Sequence, residues 1–266
     1  DLSGTPTVNV MGTGLTGIAN TIAVSADGDV YVGGNFASAG GAASTSYIAK
    51  WNGTSWSALA TGLDGTVMSM AFAPNGDLYI GGSFPDLDSG SGKYLTYWDG
   101  SAFNPVGTVE LSGGTPATII RSIVFDAKGS LIVGGNFTNA GGVANADYIA
   151  KWNGSVWEAL GTGTNGNVYD VFVRKHDGSV TGTKLNQIYA AGLFTSAGGL
   201  TLTDRVAVWS NGAWQPLDID LPGIAIVNSI LPASDGSLYI GGSFSTAGET
   251  PDVNAETGIV ALNLNV

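Results

Sequence analysis

A six-residue segment returns five times along this chain, and no other feature restricts its fold as tightly. Tyr31-Val-Gly-Gly-Asn-Phe36, Tyr79-Ile-Gly-Gly-Ser-Phe84, Ile132-Val-Gly-Gly-Asn-Phe137, Tyr189-Ala-Ala-Gly-Leu-Phe194 and Tyr239-Ile-Gly-Gly-Ser-Phe244 align without gaps, at steps of 48, 53, 57 and 50 residues. Two markers follow the first four copies. One is Trp51-Asn-Gly, Trp98-Asp-Gly, Trp152-Asn-Gly and Trp209-Ser-Asn-Gly; the other is the next aromatic, Trp56, Phe103, Trp157 and Trp214. A unit of this length cannot bury its apolar face alone, so the copies must stack on one another.

Each copy reads as four strands. The first is apolar, as in Val67-Met-Ser-Met-Ala-Phe72, and ends in a turn at Asp27-Gly28, Asn75-Gly76, Lys128-Gly129 or Asp235-Gly236. Asn-Gly and Asp-Gly between apolar runs are strong hairpin signals, because both turn positions favour positive φ. The repeated hexapeptide is the second strand. Tyr47-Ile-Ala-Lys-Trp51 represents the third, and Trp56-Ser-Ala-Leu59 the fourth. Four strands in about 50 residues is the size of one propeller blade.

The two ends of the chain carry complementary fractions of a repeat. The fifth copy stops at Ala261-Leu-Asn-Leu-Asn-Val266, which corresponds to a third strand, while Val8-Asn-Val-Met-Gly-Thr-Gly-Leu15 matches the fourth strand and exit loop Trp56-Ser-Ala-Leu-Ala-Thr-Gly-Leu63. The expected architecture is therefore all-β: a closed five-bladed β-propeller with four antiparallel strands per blade, the N-terminal strand completing the last blade. The blades are expected over about 18–60, 66–107, 117–161, 167–217, and 224–266 plus 6–12, in one domain. Closure would also shield sheet edges from pairing with other chains.

Composition agrees and removes several classes of function. Gly supplies 42 of 266 residues, which suits short strands and tight turns. Nine Lys and Arg against 21 Asp and Glu leave a net charge of -12, and the basic residues are scattered. Nucleic acid and anionic membranes are therefore not expected partners. No apolar run reaches the roughly 20 residues of a membrane-spanning helix. The absence of Cys excludes disulfides and thiolate metal sites. The chain opens at Asp1 and reads as a mature form or an excised domain. Blade four carries an insertion between Val173 and Leu185, with the single His176, and blade two an acidic loop from Asp86 to Lys93. Asp86 and Asp88 form only a fragment of a calcium-loop pattern. No metal and no cofactor is expected.

The Leu-Tyr-Ile-Gly-Gly-Ser-Phe core and the following Ile-Ala-Lys-Trp-Asn-Gly resemble delta-60 and kelch-like propeller repeats, over almost the whole chain. Gly33-Gly34, Tyr47 and Trp51 follow the kelch order at wider spacing. Such repeats occur in bacterial surface proteins and in phage tail or fibre proteins. The resemblance implies an extracellular, cell-surface or virion location and a role in display or adhesion. Enzymatic relatives with this architecture use groups that this chain lacks. A galactose-oxidase-type copper site needs two His and a Cys; a sialidase needs an Arg triad with Asp-box turns, and here the only three Arg are Arg121, Arg174 and Arg205, with Arg174 opening a turn insertion and no Asp-box turn present. No catalytic residue is assigned.

The repeats differ most in one column of the innermost strand: Asn20, Met68, Arg121, Tyr169 and Asn228. The next column reads Thr21, Ser69, Ser122, Asp170 and Ser229. The second column is small and nearly uniform, which suits hydrogen bonds between blades. The first is variable and bulky. It places a candidate ligand site at the mouth of the central channel, formed by Asn20, Arg121, Tyr169, Asp170 and Asn228. The periodic Trp residues read as packing, and the Gly-Gly pairs as points of close approach within the sheet. The expected function is a non-enzymatic binding, adhesion or display module for a glycan or protein partner. The alternatives are a multivalent lectin and, less favoured, a propeller hydrolase.

Overall fold

The computed structural model describes residues 9–84, 94–107, 111, 117–174, 186–201, 203, 205–217, 226–233, 237–243 and 258–263. The acidic loop from Asp86 to Lys93, His176 and most of its insertion, the Asp235-Gly236 turn and residues 6–8 of the expected closing strand lie outside them.

The described strands form five separate antiparallel sheets in chain order. Sheet 1 holds β1 (Leu15–Val24), β2 (Val30–Ala39), β3 (Ile48–Trp51) and β4 (Trp56–Ser57). Sheet 2 holds β5 (Val67–Phe72), β6 (Leu78–Gly82), β7 (Leu95–Trp98) and β8 (Phe103–Pro105). Sheet 3 holds β9 (Ile119–Phe125), β10 (Leu131–Asn136), β11 (Ile149–Trp152) and β12 (Trp157–Ala159). Sheet 4 holds β13 (Val168–Arg174), β14 (Gln187–Gly192), β15 (Val206–Ser210) and β16 (Ala213–Gln215). Sheet 5 has three described strands, β17 (Ile226–Pro232), β18 (Ser237–Ser243) and β19 (Ile259–Asn263). The inner strands β1, β5, β9, β13 and β17 lie beside one another in that order. The core sits between the sheets: Tyr31 of sheet 1, for example, packs with Val67, Met70, Leu78 and Ile80 of sheet 2.

Both glycines of the repeated hexapeptide are explained by close approach, one inside the sheet and one between sheets. A Cβ on the second would lie 2.0–2.1 Å from an inner-strand carbonyl oxygen in every sheet: Ile18 for Gly34, Thr66 for Gly82, Ile119 for Gly135, Asn167 for Gly192 and Ile226 for Gly242. No residue but Gly fits there. The first faces the following sheet. A Cβ on Gly33 would meet Val67 at 2.5 Å, on Gly81 Ile120 at 2.5 Å, and on Gly134 Val168 at 2.6 Å. Sheet 4 has Ala191 at this position, packed in one cluster with Val227.

The Trp markers pair across strands. Trp51–Trp56, Trp98–Phe103, Trp152–Trp157 and Trp209–Trp214 stand opposite one another in the third and fourth strands, with ring centroids 5.0–5.6 Å apart. The exit loop of the preceding sheet then settles on the pairs of sheets 3 and 4. Gly107 lies against Trp152 and Trp157, and Gly161 against Trp209 and Trp214. Trp214 Nε1 donates to the Leu160 carbonyl at 2.8 Å. The N-terminal segment makes the same contact with sheet 1: Gly12 lies against Trp51 and Trp56, and Trp56 Nε1 donates to the Met11 carbonyl at 2.8 Å. Residues 11–14 thus occupy the place of an exit loop from a preceding sheet.

The expected closing strand is not formed among the described residues. Residues 9–12 are not in a strand, and among the described residues none of the N-terminal segment pairs with β19. The outer faces of the first and last sheets stay open instead. Ile22 of β1 is 64% exposed, whereas its counterparts Met70, Ile123, Val171 and Ile230 are 3–7% exposed. At the other end, Tyr239 is 43% exposed against 9% for Tyr31, and a Cβ on Gly241 would meet nothing within 4 Å.

Candidate functional site at the inner-strand bulges

Every inner strand is broken at the same place. Its register against the second strand shifts between Ala19 and Thr21, Val67 and Ser69, Ile120 and Ser122, Val168 and Asp170, and Val227 and Ser229. The residues left without a partner are Asn20, Met68, Arg121, Tyr169 and Asn228, the whole variable column. A β-bulge bends the strand and re-aims the extra side chain. The five variable side chains are therefore set by one repeated backbone device, opposite the Gly pair, or Ala191-Gly192 in sheet 4, of the second strand.

The bulged residues touch in neighbouring pairs. Asn20 Nδ2 lies 3.7 Å from Met68 Sδ and donates to the Val67 carbonyl at 2.8 Å. The Arg121 guanidinium sits 4.7 Å from the centre of the Tyr169 ring. Arg121 Nε is buried without a hydrogen-bond partner. Asn228 is exposed.

The second column joins the sheets, as its small, uniform character suggested. Ser69 Oγ accepts the Ile123 N–H at 3.1 Å, and Ser122 Oγ accepts the Val171 N–H at 3.1 Å. Asp170 does the same with more reach. Its Oδ2 accepts the Ile230 N–H at 2.9 Å and the Ser229 hydroxyl at 3.3 Å, while Oδ1 accepts the Ser122 hydroxyl at 3.0 Å and the Val171 N–H at 2.9 Å. One carboxylate therefore ties sheets 3, 4 and 5 together. Burial raises its pKa, and the four hydrogen bonds oppose that rise.

These contacts sort the five residues expected to bind a ligand. Asp170 is occupied by its neighbours, Asn20 is held by the Val67 carbonyl, and a face of the Tyr169 ring is covered by Arg121. Arg121 and Asn228 keep polar groups at the bulge end. The bulges themselves are not legible in the sequence, because an unpaired residue is defined only once its partner strand is in place. Among the described residues no group of three His, Asp or Glu gathers in a way that would hold a metal ion.

Comparison with known proteins supports the architecture. The family model of the Rax2 C-terminal beta propeller domain matches residues 7–98. No curated protein matches the chain. Among solved structures, the extracellular domain assigned to a one-component system of B. thetaiotaomicron superposes with a TM-score of 0.54 at 14% identity, over 89% of this chain and 27% of that one. Virginiamycin B lyase from Staphylococcus aureus superposes with a TM-score of 0.53 at 13% identity, over 95% and 73%. The chain thus spans about a quarter of the first of these proteins. At such identities the likeness is one of fold. With four-stranded antiparallel sheets repeated in order, the protein is an all-β propeller.

Proposed function

We propose that this chain is a non-enzymatic binding or display module that works outside the cell, on a surface or a particle, and recognises a glycan or a protein. The observation that carries this reading is the row of five bulges. They hold the backbone constant and present four kinds of side chain from five sheets, which is how a fixed scaffold creates a specific surface. Arg121 offers a planar fork of donors and Asn228 an amide, both suited to hydroxyl or carboxylate groups. The extracellular superposing domain supports the location. The order of Gly pair, Tyr and Trp supports kinship with delta-60 and kelch-like repeats.

The same reading includes a closed ring of five blades. Its support is the complementarity of the two open faces. Gly241 and Tyr239 at one end correspond to Gly33 and Tyr31, and Ala19, Ile22 and Val24 at the other correspond to Val67, Met70 and Phe72, the residues of sheet 2 that Gly33 and Tyr31 meet. The placement of Met11 to Gly14 on the Trp pair of sheet 1 adds to it.

The test is binding of the 266-residue chain to a glycan array and to whole cells, with Arg121→Ala and Asn228→Ala in parallel. Loss of binding in either variant, with an unchanged melting temperature, supports the bulge end as the recognition surface. Undiminished binding by both variants overturns it.

A further inference from the structure

A groove of about 590 Å³ opens between sheets 2 and 3, at the hairpin ends of their inner strands and away from the bulges. Asp77, Tyr79, Tyr97, Phe125, Lys128 and Trp152 are among its lining residues. It lies where sheet 2 departs from the sheets on either side of it; sheets 4 and 5 also lack a lysine at the corresponding position, with Val208 and Ala261 there. In sheet 1, Lys50 stands opposite Tyr31, with its Nζ 2.7 Å from Asp29 Oδ2 and 5.9 Å from the centre of the Tyr31 ring. Sheet 3 also has a lysine there, Lys151, paired with Asp126 at 3.1 Å. Sheet 2 retains Asp77 and Tyr79 where sheet 1 has Asp29 and Tyr31. Opposite Tyr79, however, stands Tyr97.

The replacement removes a cation and adds an aromatic ring. Tyr97 stacks on Tyr79 with centroids 5.2 Å apart and planes 21° from parallel. The Tyr79 ring also meets Phe125 edge-on at 5.1 Å. The Asp77 carboxylate accepts the Asn75 amide at 2.7 Å, where Asp29 receives an ammonium. A carboxylate beside aromatic rings is a setting that favours an ammonium ion, through Coulomb attraction and the negative ring faces. Sheet 1 shows that this same fold satisfies the Asp and Tyr with a lysine.

We propose that the groove between sheets 2 and 3 binds a lysine side chain of a partner polypeptide, whose ammonium takes the place that Lys50 Nζ fills in sheet 1. The groove has room for the side chain and the backbone on either side of it. The net charge of -12 favours approach of a basic partner. Lys128, exposed on the facing hairpin, opposes a second cation and sets a limit on affinity. This site is independent of the bulge end, so failure of one leaves the other standing.

The test uses Nα-acetyl-lysine methylamide, titrated into the 266-residue chain and followed by the ring signals of Tyr79 and Tyr97 and by Trp fluorescence. Nα-acetyl-norleucine methylamide has the same stem without the ammonium, and methyl glucoside tests a neutral sugar. The lysine compound is expected to bind at least about tenfold more tightly than either. Asp77→Asn is expected to weaken it about tenfold, and Lys128→Gln to strengthen it a few-fold. Tyr97→Lys rebuilds the arrangement of sheet 1. It is expected to keep the melting temperature and abolish binding. Equal binding of the norleucine or sugar compound, undiminished binding by Asp77→Asn, or no response to the lysine compound would overturn the proposal. Arg121→Ala, remote from the groove, is expected to leave this titration unchanged.

Discussion

The guanidinium of Arg121 lies over the ring of Tyr169, 4.7 Å from its centre, and joins the bulges of two neighbouring sheets. The two residues are 48 positions apart, so only the stacking of sheet 3 on sheet 4 brings them together. A cation–π contact at a partly exposed site contributes about 0.5–1 kcal/mol. Arg121→Ala and Tyr169→Leu are each expected to lower stability modestly. Their double-mutant cycle is expected to show a coupling of that size in urea unfolding. Strict additivity would mean that the stacked pair contributes nothing.

Asp170 is expected to matter far more to the fold. Asp170→Ala leaves the Ile230 N–H and the Ser229 hydroxyl without their shared acceptor. The predicted loss is about 2–4 kcal/mol, the scale of losing several charge-assisted hydrogen bonds. Urea unfolding of the variant measures it, and a loss under about 1 kcal/mol would show that the carboxylate is not the tie between sheets.

The same residue gives stability a pH dependence. Burial raises the Asp170 pKa despite the hydrogen bonds from Ile230, Ser122, Val171 and Ser229. The folded chain then holds this proton more tightly than the unfolded chain does. Its contribution to stability is fully present below the unfolded carboxylate pKa and is lost as pH rises through the raised folded value. Asp170→Asn removes that slope. The stability of the parent relative to Asp170→Asn is therefore expected to fall as pH rises across this window, followed by unfolding at a series of pH values.

The glycines offer a local test of ring closure. Gly82→Ala places a Cβ 2.1 Å from the Thr66 carbonyl and is expected to cost several kcal/mol. Gly33→Ala meets Val67 of the next sheet at 2.5 Å and is also expected to be costly. Gly241→Ala meets nothing within 4 Å. If sheets 5 and 1 meet in solution, Gly241→Ala destabilises as Gly33→Ala does. If the face is open, Gly241→Ala is neutral or slightly stabilising, because it restricts the unfolded chain. Melting temperatures of the three variants separate these outcomes.

Removal of residues 1–12 probes the other end. It deletes the Met11 carbonyl that accepts from Trp56 and the contact of Gly12 with Trp51 and Trp56. The truncated chain is expected to melt lower and, if the missing segment also pairs with sheet 5, to associate through the exposed edge. Calorimetry together with sedimentation checks both effects. An unchanged melting temperature in a monomeric truncated chain would remove the N-terminal segment from the account of closure.

The sequence alone determined the parts of this protein that depend on near neighbours. The Asn-Gly and Asp-Gly turns, the alternation of short strands, and the five spaced copies each follow from the conformational limits of a few adjacent residues. They were enough to predict four-stranded sheets, and the small, nearly uniform second column was enough to suggest bonds between them. Tertiary structure decided what depends on residues about 50 positions apart. It showed that Asn20, Arg121, Tyr169 and Asn228 are bulged, because a bulge exists only relative to a paired strand. It committed Asp170 to its neighbours, because the Ile230 N–H is supplied by another sheet. It divided the Gly pair between a carbonyl within the sheet and an aliphatic side chain of the next. It also gave meaning to Tyr97, which stands where the sheets on either side have a lysine and which the sequence alone does not single out. Packed beside Phe125 and Trp152, it becomes part of the wall of a groove, because only the stacking of two sheets encloses space between them.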